Sequence, residues 1–317
     1  MTRLVVVELR RLLARRLTRV AVVAVALLVG ISLYGTQQEV WNSTPERIAQ
    51  VQQENARSCV DAQTQVRQTD PSADFGCPQM AGPAPSGENA TTYVDVARST
   101  VSALAYLLAF LAFVVGSTFI AAEFSTGAIG MWLTYEPRRT RVYASKLTAL
   151  LGGVLAVSAL TLAVAVAATF LISRHYGLGT STARAGGGQL WGDALRTVGL
   201  VGAAGLVGAA IATLLRHTAA ALGVLIGYLV VVELLLGQGL SYLFGEPRPW
   251  LLLSNVTAWL QGGLRDDRAP VDCFDPSKAC PEPGELISTA HAGVYLLVLS
   301  AVVIAIGALV FRRRDVT

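Results

Sequence analysis

The chain has 317 residues, 53% of them hydrophobic and only 15% charged, with a formal net charge of +4 and a mean hydropathy of +0.52. A soluble domain carries roughly 25% charged residues, so the composition excludes an ordinary soluble globular domain and points to the membrane. The slight basic excess is no nucleic-acid signal: apart from Lys146 and Lys278 every basic residue is an arginine, and their placement matters more than their sum.

Residues 1–19 open the chain, and residues 3–19 of them read "RLVVVELRRLLARRLTR". At 100° per residue Val5, Leu9, Leu12, Leu13 and Leu17 share one face, with most of the arginines opposite. This pattern predicts an amphipathic helix lying in the headgroup layer; a plain extension of the first span is the alternative. A spanning helix needs about 20 apolar residues, and six stretches qualify, at residues 20–35, 99–122, 147–172, 196–215, 218–237 and 291–311. The first is short and is expected to begin earlier, near Leu17. No cleavage site with a polar mature start follows it, so it is expected to stay in the membrane.

Residues 36–98 form a large polar loop. Thr44 reads as an N-cap with Pro45 at the first helical position, and a helix is expected from there to "TDPSADFGCP". Residues 123–146 link the second and third spans. The fourth span carries Gly199, Gly202, Gly205 and Gly208, the fifth Gly223 and Gly227; small residues allow close helix approach. "RHT" alone separates these two spans, which predicts a tight hairpin. Residues 238–290 hold "PWLLLSNVTAWLQGGL", too short to span, which reads as a re-entrant or interfacial helix. Residues 312–317 are a short basic tail. The predicted fold is therefore an all-α integral membrane protein with six transmembrane helices.

Short-loop arginines set orientation. Placing both termini in the cytoplasm puts Arg3, Arg10, Arg11, Arg15, Arg16 and Arg19 inside, with Arg138, Arg139, Arg141, Lys146, Arg216 and Arg312–Arg314. Arg138, Arg139 and Lys146 then act as inner-boundary anchors. The same topology places Cys59, Cys77, Cys273 and Cys280 outside, where disulfides persist. Local pairs Cys59–Cys77 and Cys273–Cys280 are expected; cross-loop pairing and free thiols are the alternatives, since four cysteines allow three connectivities.

Catalytic sets are missing from the sequence. Neither lysine closes a G-x-x-x-x-G-K-[ST] loop, so ATP binding by that device is excluded. His175, His217 and His291 stand alone, without metal-ligand spacing. Ser102, Ser117 and Ser158 have no histidine in register for an intramembrane protease. Glu233, inside "YLVVVELLLG", is a membrane carboxylate and hence a functional candidate. It reads equally as a cavity residue or as an interfacial anchor.

The linking segment "AAEFSTGAIGMWLTYEPRRTRVYASKL" starts acidic, turns at glycine, and then offers an apolar face with Ile129, Met131, Trp132 and Leu133. Such a face calls for lipid or a soluble partner. The segment resembles the signature of ABC-2 type transporter permeases, in Glu123, Phe124, Gly127, Pro137, Arg139 and Lys146. Ala128 stands where the family usually has threonine.

The resemblance implies one half of a bacterial exporter in the cytoplasmic membrane. Its expected partners are an ABC ATPase dimer, a second permease copy (identical or related) and membrane lipid, with no nucleic acid. It implies no cofactor in this chain, ATP and Mg belonging to the ATPase. Glu123, Phe124, Ser125, Gly127, Ile129, Met131, Trp132 and Leu133 would form the coupling segment on which the ATPase pushes. The substrate would be a lipid, a hydrophobic drug or antibiotic, or a peptide. The rival reading is a non-transporting module that drives a cell-envelope partner through its external loops.

Overall fold

The computed structural model describes residues 2–72, 74, 75, 77, 92–128, 130, 138–177, 187–237, 247–265 and 285–313. Nine α-helices and a short pair of strands make up the described chain: α1 Thr2–Ala14, α2 Arg16–Asn42, α3 Pro45–Arg67, α4 Tyr93–Ser125, α5 Arg139–His175, α6 Gly187–Leu215, α7 Thr218–Gly227, α8 Leu252–Gln261 and α9 Thr289–Arg313. Helix α7 continues as a π-helix over Tyr228–Leu236. Strands β1 (Leu264–Arg265) and β2 (Glu285–Ile287) pair antiparallel. Six helices among the described residues are long and apolar enough to cross a membrane: α2, α4, α5, α6, α7 with its π extension, and α9. Each covers one of the six predicted apolar stretches, and most run past it at both ends.

The contacts divide the chain into two units. One comprises Met1–Leu28, Val101–Ala163 and Trp191–Thr317. At its centre α4 crosses α6 at close range. A Cβ at Gly116 would fall on the carbonyl oxygen of Gly205, and one at Gly208 would fall on that of Phe113. Gly202 faces Leu151 and Leu155 of α5 instead, while Gly199, Gly223 and Gly227 meet nothing within 4 Å. Half of the apolar window is buried in α4 and in α6, against 6% in α7 and 11% in α9. Those two central helices therefore hold the core, and the others present apolar faces outward, as lipid requires. Arg216, at φ 53°, makes the turn between α6 and α7, as the three-residue spacing predicted.

The N-cap of α8 is Leu251, which has no side-chain capping oxygen. Glu233 supplies it from the π-helix: its Oε1 accepts the Leu253 N–H at 2.9 Å. A carboxylate there satisfies an orphan donor and faces the positive end of the helix dipole. Trp259 of α8 donates its indole N–H to the Arg196 carbonyl at 3.0 Å and packs against Gly293 of α9.

The second unit comprises Val29–Thr100 and Val164–Leu190. Val40, Val96 and Ala97 are fully buried in it. Thr36 and Thr100 share a buried hydroxyl contact of 2.9 Å, and Tyr93 meets Phe170 edge to face. Helix α3 starts as expected: Thr44 Oγ1 accepts from the Arg47 N–H, and Pro45 occupies the first turn. No residue of α3 is buried; the Cys59–Cys77 disulfide braces it. The Cys273–Cys280 pairing lies outside the described residues.

Closing a loop of 18 residues contributes about 3 kcal/mol in the chain-entropy account. Cys59→Ser should therefore expose the Pro45–Arg67 segment to proteolysis under conditions that leave the oxidised parent intact. Equal cleavage rates in parent and variant would contradict that contribution.

Candidate functional site

The ends of residues 123–146 are joined by a buried ion network. Glu123 lies in the last turn of α4, and its helix stops where Thr126 and Ser125 turn their hydroxyls back to the Ala122 carbonyl, at 2.8 and 3.1 Å. Gly127, at φ 69°, makes the turn. Only glycine adopts that backbone without a Cβ penalty. On the far side, Lys146 sits two turns into α5 and is 1% exposed. Its Nζ lies 2.6 Å from Glu123 Oε2 and 2.8 Å from Glu8 Oε1 in α1. Arg15, at the break between α1 and α2, completes the set. Its Nη2 donates to Glu123 Oε1 at 3.0 Å, and its Nη1 donates to the Phe119 carbonyl at 2.9 Å.

Two carboxylates thus meet one ammonium and one guanidinium, and the formal charges balance. Buried charges persist only when paired in this way. Phe119 lies beneath, with the Arg15 guanidinium 4.8 Å and Lys146 Nζ 5.7 Å from its ring, which favours both cations. Beside the network Phe124 meets Phe311 of α9 edge to face, Tyr143 stacks on Phe311, and Arg216 sits 5.5 Å from the Phe124 ring.

The structure therefore brings Glu123, Phe124 and Lys146 together and leaves Ser125 and Gly127 at an exposed turn. Ile129, Met131, Trp132 and Leu133 lie outside the described side chains. Arg138 and Arg139 are not in the network; with Arg141 and Arg312 they line an open recess where α5 begins and α9 ends. Glu233 is distant from it in sequence and caps α8, as above. The sequence reading missed Glu8, Arg15, Tyr143 and Phe311. Glu8 carried a signal: it sits between Val5 and Leu12 on the apolar face of α1, where an acid needs a buried partner. That face also divides. Leu12 is buried in the core with Leu9 packed against it, while Leu13 and Leu17 are exposed, so only part of the stripe is left for lipid.

Among the described residues no group of histidine, cysteine and carboxylate side chains could hold a metal. Ser117 and Ser158 donate to their own helix backbone, at the Val114 and Leu155 carbonyls. The arrangement ties α1, α4 and α5 together at one level through Glu8, Arg15, Glu123 and Lys146.

A comparison with curated proteins finds no match. The family model described as ABC-2 family transporter protein matches residues 4–316. Six candidate spanning helices and this match over nearly the whole length agree, and the chain belongs to the ABC-2 transporter family as a membrane subunit.

Proposed function

We propose that the chain is the permease half of an exporter and is moved by a separate ATPase through residues 123–146. The observation that carries this reading is the bridge from Lys146 to both Glu123 and Glu8. A push on an unanchored loop is lost in loop motion. A push on a segment whose two ends are ionically joined displaces α4 and α5 as one body, and α1 with them. The bias between inward- and outward-facing states comes from the different contacts that the ATPase makes when open and when closed on ATP, since a ligand shifts an equilibrium only by its differential affinity.

In this reading both termini and the linking segment face the cytoplasm, where arginines at 138, 139, 141 and 312–314 favour the inner leaflet. The motor is an ABC ATPase dimer carrying ATP and Mg, and a second permease copy completes the pathway. Apolar walls suit a lipid, a hydrophobic antibiotic or a peptide as the substrate.

The test is reconstitution with the ATPase. Glu123→Ala should reduce the permease-dependent stimulation of ATP hydrolysis by tenfold or more while insertion is unchanged, and Met131→Asp should abolish co-purification of the ATPase. Parental coupling in both variants refutes the assignment. A second reading, a module that drives an envelope protein, draws on α3: it is 23 residues long, unburied and disulfide-braced. That reading predicts hydrolysis that responds only to the envelope protein and not to any transported compound.

A further inference from the structure

Arginines from two helices far apart in sequence line one open recess. Arg138, Arg139 and Arg141 come from the start of α5 and Arg312 from the end of α9, with Thr140 and Ala144 between them. Its volume, about 680 Å³, falls within the roughly 300–1,000 Å³ of ligand-sized sites. Among the described residues none that lines it is acidic. The first turn of α5 carries no acid either, so three of the arginines gather at the positive end of a helix dipole. Such a cluster repels itself, and an anion relieves it. Guanidinium forks match phosphate oxygens two at a time. Arg138 and Arg312 are exposed, so an anion reaches them without any rearrangement of the helices.

The place of the recess decides what carries the anion. Arg312 ends a spanning helix, and it continues the face of α9 that the protein leaves uncovered. At 100° per residue Val298, Val302, Ala305 and Leu309 all fall within about 80° of Arg312, and each is exposed. Gly307 and Phe311, which meet Tyr143 of α5, point the other way. An apolar chain lying along the exposed stripe therefore ends with its head at the recess. We propose that the recess binds one phospholipid that carries two phosphates. Its acyl chains lie along α9, and its phosphates meet Arg138 and Arg312, with Arg139 and Arg141 adding to the field. Four cations in one recess exceed what a single phosphate balances, which is the reason for the second. Basic pockets between spanning helices on the cytoplasmic side suit such headgroups. The general preference of arginines for inner loops does not require those of α5 and α9 to share one recess, so this is a site and not a diffuse attraction. It rests on the membrane-spanning fold alone and stands whether or not the ATPase reading does.

The test is native mass spectrometry of the full-length chain, stripped of lipid in detergent and offered equimolar diphosphatidylglycerol and phosphatidylglycerol with identical chains. One diphosphatidylglycerol should be retained about tenfold or more over phosphatidylglycerol. Arg138→Gln with Arg312→Gln should lower that retention roughly 30-fold, from about 1 kcal/mol per arginine. Arg16→Gln with Arg19→Gln removes the same charge from two exposed positions at the start of α2 and should leave retention at the parental level. Inorganic pyrophosphate at the concentration of the lipid should not displace it. Equal loss from the two pairs of variants would mean diffuse charge and overturn the site. Displacement by pyrophosphate would mark an anion site without a chain and overturn it too. So would parental retention in the recess pair; loss of the ATPase on co-purification from that same pair would then give the recess to an acidic protein surface.

Discussion

Lys146→Met should destabilise the folded protein by about 3–5 kcal/mol, the range expected when one partner of a buried ion pair is removed. Two carboxylates lose their shared cation. Glu8 and Glu123 are 1% and 2% exposed, so water cannot replace it, and only Arg15 remains, bound to Glu123. Heating in detergent, followed by the fraction that elutes as a monodisperse peak, measures the loss. Glu8→Leu combined with Lys146→Met removes the stranded acid as well and leaves the Arg15–Glu123 pair intact. That double variant should recover more than half of the loss, because apolar replacement of a buried pair is often neutral. Arg15→Gln should cost less than Lys146→Met, since the Arg15 side chain is 27% exposed and exposed pairs contribute little. An unaltered melting profile in Lys146→Met would mean that the network holds nothing together.

Gly116→Val and Gly208→Val should each destabilise by about 3 kcal/mol or more, the upper range for overpacking. At both positions the added atoms meet backbone carbonyls of the crossing helix, which cannot rotate away as a side chain can. Gly223→Ala supplies the contrast. Its Cβ meets nothing, and a helix interior gains up to about 1 kcal/mol when alanine replaces glycine. The same heating assay should therefore separate the two groups widely. Tolerance of valine at Gly116 would show that α4 and α6 do not cross where described.

The spanning helices were legible because each is announced by an apolar window close to 20 residues long, a requirement that the bilayer imposes on any sequence. Helix α3 was legible from two adjacent residues, Thr44 and Pro45, whose local chemistry fixes a helix start. The ion network was not. Lys146 and Glu8 are 138 positions apart, and no local rule pairs them; the one available hint was an acid on the apolar face of α1. The glycines were half legible. Gly202, Gly205 and Gly208 stood out as a stripe, but which neighbour each faces depends on how α6 is rotated, and Gly116, its counterpart in α4, was hidden among larger residues. Glu233 was legible as an exception and not as a role. The π-helical register of Tyr228–Leu236 leaves no trace in an apolar run, and the Leu253 N–H in the first turn of α8 that Glu233 satisfies lies 20 residues further on.

The most direct test of the account is photo-crosslinking from an unnatural residue at Thr126, an exposed position in the turn after α4, in cells that carry the full-length chain. The account predicts an adduct with a soluble, P-loop-bearing ATPase, with a yield that changes when ATP is trapped against hydrolysis. Adducts only with proteins on the external side of the membrane, or none with any ATPase while the chain still performs its transport, would contradict it.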